Sequence, residues 1–257
     1  TQVKGDSEAH PLLSPTDEFA NFETWDEANI SMEERPSDAE ARRRIFENEY
    51  AREALKQGLE LRDRFGTNPY EFGMIGSTDS HTGLATADDN NFWGKFVESE
   101  PSPDRISSKM GGRLWDNWRL TSSGYVGAWA RANTREEIFA AFKRKEVYAT
   151  TGPRISLRFF GGWEFNDSDL DHQNIAESGY SKGVPMGGVV NDGSGKPSFL
   201  IYALKDPNGA HLDRVQVIKG WMDAGGALQE KIYNVAFSGS RTVDAVTGKI
   251  PAVGNTV

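Results

Sequence analysis

Residues 72–81 read FGMIGSTDSH, and how they are read decides the fold. The run Phe72–Ile75 is apolar without polar alternation, which predicts a short strand buried on both faces. It passes through Gly76 into a wholly polar tail, Ser77, Thr78, Asp79, Ser80 and His81. Upstream, Ser37 and Glu40 have the spacing of a capping box, in which each side chain satisfies a free backbone N–H of the other. Ile45, Ala51, Leu55, Leu59 and Phe65 then recur near helical spacing, and Gly66 suits a left-handed stop, so the spacing predicts one helix over 38–65. The order is helix, buried strand, polar tip.

The same order returns downstream. Thr134 and Glu137 make a second capping box, REEIFAAFKRKE (135–146) reads as a helix, VYAT (147–150) as a strand, and TGPR (151–154) as its polar end. Two such units place the chain in the α/β class, in a layered or barrel-like arrangement whose chemistry gathers at the C-terminal ends of strands. Between them, 82–131 is too long for a plain connection. Its aromatics, among them Trp115, Trp118, Tyr125 and Trp129, predict an ordered excursion over the strand ends. After 154 the texture changes. RISLRFF, SFLIYAL, DRVQVIKGW and EKIYNVAFS are strand-like runs separated by turns such as NDGSG and DPNG, which predicts an antiparallel β-rich region over 155–257 with no helix. Residues 1–36 read as loop, opening on the tail of a strand at Gln2–Lys4.

A chain of 257 residues with 37% apolar content and seven tryptophans can bury a core. A net charge of −9 argues against nucleic acid or an anionic membrane as partner, since phosphate surfaces are bound by an excess of Lys and Arg. No apolar run is long enough to span a bilayer. The absence of cysteine excludes disulfides and thiolate metal sites and leaves the compartment open.

Chemistry concentrates at three places. In an extended segment residues i and i+2 point the same way, so Asp79 and His81 can aim a carboxylate and an imidazole at one point. Such a pair can ligate metal, or serve as base and orienter; the same spacing also suits a turn-capping aspartate beside an ordinary surface histidine. Glu8 and His10 repeat the spacing in GDSEAHP (5–11), again either as ligands or as a polar loop. In YATTGPR (148–154), the hydroxyls of Thr150 and Thr151, the bare backbone of Gly152 and the guanidinium of Arg154 could grip a phosphate or sulfate ester, or form a plain strand-ending turn. Trp115 is the aromatic nominated beside Thr151 and Arg154 for substrate binding. DSDLDH (167–172) has alternating aspartates but lacks the glycine and glutamate of a calcium loop, and reads as a solvated acidic loop.

Three long stretches are more specific than these short patterns: KGDSEAHPLLSPTDEFANFETWD (4–26), FGMIGSTDSHTG (72–83) and REEIFAAFKRKEVYATTGPRISLRFFGGW (135–163). They resemble a bacterial family of unknown function, number 3604, which is itself similar to the PHP (polymerase and histidinol phosphatase) metal-dependent hydrolases. The resemblance implies part of a distorted PHP-like (β/α) barrel over 1–154, holding two or three divalent ions (Zn, Mn or Fe), followed by the β-rich region. It matches Asp79 and His81 to the last metal-ligand motif and likens Glu8 to a metal-bridging carboxylate; His10 has no firm counterpart. PHP sites open with an HxH pair that this chain lacks, so the expectation is a piece of a longer protein carrying part of the metal shell. The expected activity is hydrolysis of a small phosphoester or related oxyanion ester by metal-activated water, with His10 as ligand or proton donor and Arg154 holding the anion. The alternative is a non-catalytic carbohydrate- or protein-binding module on a degenerate barrel scaffold.

Overall fold

The computed structural model describes residues 2–3, 8–21, 36–78, 80–81, 102–104, 106–110, 115–116, 124–171, 174–191, 193, 195–251 and 253. Among these it is a mixed α/β chain with small antiparallel sheets, in two compact units. The first unit takes in residues 1–2 and 72–209, the second 3–71 and 210–257.

β1 (Gln2–Val3), of which Gln2 belongs to the first unit, pairs with β2 (Ile75–Gly76). The two-residue strands β3 (Lys109–Met110) and β4 (Trp115–Asp116) pair antiparallel, within the expected excursion. β5 (Tyr125–Ala128) and β6 (Val147–Thr150) are antiparallel, with Tyr125 opposite Thr150 and Ala128 opposite Val147. Helix α3 (Arg135–Arg144) connects them. Thr134 caps α3 through its hydroxyl, which accepts from the Glu137 N–H at 3.3 Å, and Lys145 ends it in a left-handed conformation with φ 60°. β7 (Ser156–Gly162) is the centre of a three-stranded antiparallel sheet between β8 (Gly183–Pro185) and β9 (Ser198–Leu204). Phe160 and Leu200, opposite one another in register, are buried, as are Ala141 and Val147.

The sequence predicts no helix beyond 154, yet α4 (Ile175–Lys182) is one. Its glycine and serines form helix poorly, which hides it. Tertiary packing makes it: a Cβ on Gly179 would lie 2.5 Å from the Phe160 ring, so only a bare backbone lets the helix rest on β7. DSDLDH is not simply a solvated loop either. A 3₁₀ turn spans Asp167–Asp171, and Asp169 is fully buried, accepting from Lys182 Nζ at 2.6 Å and from the Asn166 N–H at 3.0 Å.

In the second unit the helix expected over 38–65 is two. α1 (Ala39–Phe46) is capped by Asp38 rather than Ser37, the carboxylate accepting from the Ala41 N–H at 2.7 Å. α2 (Ala51–Phe65) ends at Gly66 with φ 74°, as its sequence predicts. The break has a side-chain cause. Asn48 Nδ2 donates to the Arg44 carbonyl at 3.0 Å, taking an acceptor that a continuous helix would give to the backbone. Gln57 Nε2 then satisfies the Glu47 carbonyl at 2.6 Å. Leu13, Phe46 and Tyr50 form the buried core cluster here. α2 also packs on an antiparallel hairpin, β10 (Arg214–Met222) and β11 (Leu228–Phe237). The hairpin turn is held by Asp223, which accepts from the Gly225 and Ala227 N–H groups at 2.9 and 3.0 Å.

Candidate functional site

The strand end at 72–81 is built by close backbone approach. Only Ile75–Gly76 forms a strand, and Phe72–Ile75 are half-buried rather than buried on both faces. A Cβ on Gly73 would lie 3.1 Å from Val147 Cγ2, and one on Gly76 would lie 2.6 Å from the carbonyl oxygens of both Thr150 and Tyr125. Gly73 thus lies beside the start of β6 and Gly76 beside its end, so the two segments run side by side in the same direction. Gly124 closes the third side, where a Cβ would come within 2.6 Å of the Ser77 carbonyl. The polar ends of the two helix–strand units, Ser77 onward and Thr150 onward, therefore meet at one place.

Asp79 lies outside the described residues. Its neighbours Ser80 and His81 are described: Ser80 N–H donates to Thr78 Oγ1 at 3.3 Å, and His81 is exposed. Thr151 is exposed, and Gly152 (φ 132°) donates its N–H to Thr150 Oγ1 at 3.4 Å. Arg154 places its guanidinium 5.3 Å from the centre of the Tyr125 ring, and its N–H donates to Asp206 Oδ2 at 2.7 Å. Asp206 also accepts from the Asn208 N–H at 2.9 Å. These two backbone donors, that of Arg154 foremost, hold the Asp206 carboxyl below the usual aspartate range. Tyr125 is thus common ground: its carbonyl abuts Gly76 and its ring faces Arg154. Trp115 is placed in β4 opposite Met110, with its side chain outside the described residues.

Glu8 and His10 belong to the second unit and are described there by themselves. His10 is buried, with ring centroids 4.4 Å from Phe46 and 5.4 Å from Tyr50. Its Nδ1 accepts from the Leu12 N–H at 3.1 Å, so the neutral imidazole carries its proton on Nε2. Glu8 is half-exposed and twice tied to Arg52. Its backbone carbonyl accepts from the Arg52 N–H at 3.0 Å, and its Oε1 from Arg52 Nη2 at 2.6 Å. Arg52 Nη1 reaches Asp17 at 2.7 Å and Glu230 at 3.3 Å. Lys56, one turn on, pairs with Glu53 at 2.7 Å and Glu230 at 3.6 Å. Burial by itself would lower the Arg52 pKa; the carboxylates of Glu8, Asp17 and Glu230 outweigh it, and the net shift is upward. A groove of about 510 Å³ opens beside this network, with Ser14, Arg43, Lys56 and Gln229 among its walls.

Sequence reasoning missed Arg52, Asp17 and Glu230, which lie 35 and 178 residues from one another across the Arg52 contacts. One signal exists. A cation in the first turn of a helix opposes the helix dipole and calls for a carboxylate partner. Arg52 sits in that turn of α2, but a helix read as unbroken over 38–65 conceals it. Also missed is the buried Glu146, which accepts from the Tyr180 hydroxyl and pairs with Arg144 at 3.3 Å. Burial, and then this hydrogen bond, raises the Tyr180 pKa.

Among the described residues, no three His, Asp or Glu side chains gather as metal ligands would. No described helix is long and apolar enough to cross a membrane. No curated protein and no solved structure matches the chain. A family model described as a protein of unknown function, DUF3604, matches residues 1–257. With the match running over its whole length, the chain belongs to the DUF3604 family.

Proposed function

We propose that the chain is a metal-dependent hydrolase of PHP type, acting on a phosphoester or related oxyanion ester. The observation that carries this reading is the meeting of the two polar strand ends, with Gly76 and Ser77 packed against Thr150, Tyr125 and Gly124. The strand ending at Gly76, beside Thr150, is followed in sequence by a carboxylate and an imidazole two residues apart, and Thr150 is followed by a Thr-Gly turn and an arginine. That combination offers hard and borderline metal ligands beside an anion-binding group.

In this reading Asp79 and His81 are ligands in the first unit, and Glu8, in the second, is a separate candidate ligand. Carboxylate and imidazole donors suit Zn, Mn or Fe. One oxygen of Glu8 is held by Arg52, and the other takes no hydrogen bond from a described residue, so the carboxylate keeps an oxygen for a cation. Bound divalent ions would supply a water acidified to near-neutral pKa and positive charge for the transferred group. Arg154 holds the ester's anionic oxygens, its backbone fixed by Asp206 and its guanidinium over the Tyr125 ring. Thr151, exposed beside it, adds a hydroxyl.

Elemental analysis of the purified chain by plasma mass spectrometry, beside Asp79→Ala and His81→Ala, tests the reading. Near-stoichiometric Zn, Mn or Fe in the parent, lost in both variants, is expected, together with hydrolysis of para-nitrophenyl phosphate that both variants lack. Metal content unchanged in either variant would remove that residue from the ligand set, and a metal-free parent would overturn the reading for this chain.

A further inference from the structure

We propose that the outward face of the β10–β11 hairpin binds an acidic oligosaccharide, Lys219 and Lys231 taking its carboxylates and Trp221 and Tyr233 its ring faces. The site lies wholly within the second unit and is independent of the hydrolase reading. The register assigns the two faces of the hairpin. Glu230 stands opposite Gly220. Glu230 pairs with Arg52 and Lys56 of α2, and a Cβ on Gly220 would lie 3.2 Å from Lys56 Cγ, so both turn toward α2. Side chains alternate along a strand, so the neighbouring pairs turn the other way. These are Val217 with Tyr233, Lys219 with Lys231, and Trp221 with Gln229. Lys219, Lys231 and Tyr233 are exposed, and Trp221 is half-buried.

The lysine pair points to a ligand. Like charges directly opposite one another destabilise a hairpin. With 38 Asp and Glu against 29 Lys and Arg, the chain has carboxylates in excess to relieve such a pair. Neither lysine forms an ion pair with a described residue: Glu230 is engaged by Arg52 and Lys56, and Asp213 by Arg214 and Arg241. Each ammonium has an aromatic ring beside it instead. Lys219 Nζ lies 4.9 Å from the centre of the Trp221 ring, and Lys231 Nζ 5.0 Å from that of Tyr233. The two aromatics flank the lysines from opposite ends, about 13 Å apart along the strands. A short chain of hexuronate units matches this layout, because each unit carries a carboxylate at the edge of a ring whose C–H face packs on an aromatic. A nucleic acid does not match, since two lysines neutralise few phosphates and the net charge of −9 repels the rest. An acidic peptide would add along a strand edge through its main chain, whereas these side chains stand on the face of the hairpin.

The test is calorimetric titration of the purified chain with tetragalacturonate, with EDTA present to exclude metal-bridged binding. Methyl-esterified tetragalacturonate and tetraglutamate are the comparison ligands. The parent is expected to bind tetragalacturonate with an affinity that falls as salt rises, and to bind both comparison ligands at least about 10-fold more weakly. Lys219→Gln/Lys231→Gln is expected to weaken binding about 10-fold or more, since charge-assisted contacts are lost. The same double variant is expected to melt no lower than the parent, because a like-charge pair is removed. Trp221→Ala is expected to weaken binding as well; Tyr233→Ala, at the more exposed position, carries that arm if Trp221→Ala does not fold. A parent that binds no tetragalacturonate would overturn the proposal, as would unchanged affinity in the folded double lysine variant. Equal affinity for the methyl ester would remove the lysines from the site. Equal affinity for tetraglutamate would make the face a surface for acidic peptides, and would also overturn the assignment. None of the four side chains belongs to the hydrolase reading, so the failure of one leaves the other standing.

Discussion

The loop around Glu8 and the strand end around Ser77 bear the same short pattern, a carboxylate two residues before a histidine, yet they are held by opposite means. Around Glu8 the holding is done by side chains. Arg52 binds three carboxylates drawn from positions 8, 17 and 230, the latter two with little-exposed side chains, and His10 is wedged against Phe46 and Tyr50. Around Ser77 the holding is done by the lack of side chains. Gly76 and Gly124 let main chain touch main chain, while His81, Thr151 and Arg154 stand exposed. The first region is fixed by charge and fails when an atom group is removed. The second is fixed by shape and fails when a single carbon is added.

The largest effect separating them is expected from Arg52→Met. Removing the guanidinium leaves Asp17 and Glu230 buried without their main cation, a loss of about 3–5 kcal/mol. Urea denaturation followed by tryptophan fluorescence and circular dichroism checks this, with the two units allowed separate transitions. A loss below about 1 kcal/mol would place the pair with ordinary surface ion pairs and erase the contrast.

Gly76→Ala is the converse change. The added Cβ meets two backbone carbonyl oxygens at 2.6 Å, and neither can rotate aside as a side-chain tip would. Overpacking of this kind costs about 1–3 kcal/mol, and here it also pries residue 76 away from Thr150 and Tyr125. The expected result is a lower melting temperature and, in the hydrolase reading, a loss of activity exceeding the loss of folded protein. A variant as stable and active as the parent would show that the strand ends are not packed through this glycine.

These two modes explain what could be read from the sequence. Strands β6, β7, β9, β10 and β11 were legible because each is a β-rich run bounded by turn residues. The Thr134 cap and the Gly66 stop were legible because capping acts over three or four residues. The break at Glu47–Tyr50 was not, because an asparagine inside a helical pattern does not announce that its amide will replace its own backbone N–H. Helix α4 was not, because its stability comes from Phe160 lying on Gly179. At the candidate site, DxH and TGPR stood out as local patterns, and Glu8-x-His10 likewise. The groups that hold them, Arg52 with its distant carboxylates and Asp206 for Arg154, lie 35 to 178 residues away and 52 residues away, distances at which spacing says nothing.

The smallest expected effect, and the most selective, belongs to Asp206. Its carboxylate is exposed but accepts the N–H groups of Arg154 and Asn208, and its folded pKa is depressed by them. A depressed pKa means that the charged form is favoured by folding, so the contribution is fully present above the ordinary aspartate value. It is lost as pH falls through the lower folded value. Asp206→Asn keeps one carbonyl acceptor and turns an amide toward the other N–H, so it destabilises the Thr151–Arg154 turn at neutral pH. Below the folded pKa of Asp206 the parent carries a neutral carboxylic acid of nearly the same shape, and the two proteins converge. The measurement is the difference in urea midpoint between parent and variant from pH 7 down to pH 3. Because every other carboxylate is present in both proteins, their titrations cancel in that difference. A gap that narrows with falling pH assigns the turn to a charged cap on backbone N–H groups, shape and charge acting together in the region otherwise held by shape. A gap that stays constant would mean that Asp206 holds Arg154 by hydrogen bonding alone, and would leave charge as the property of the Arg52 network.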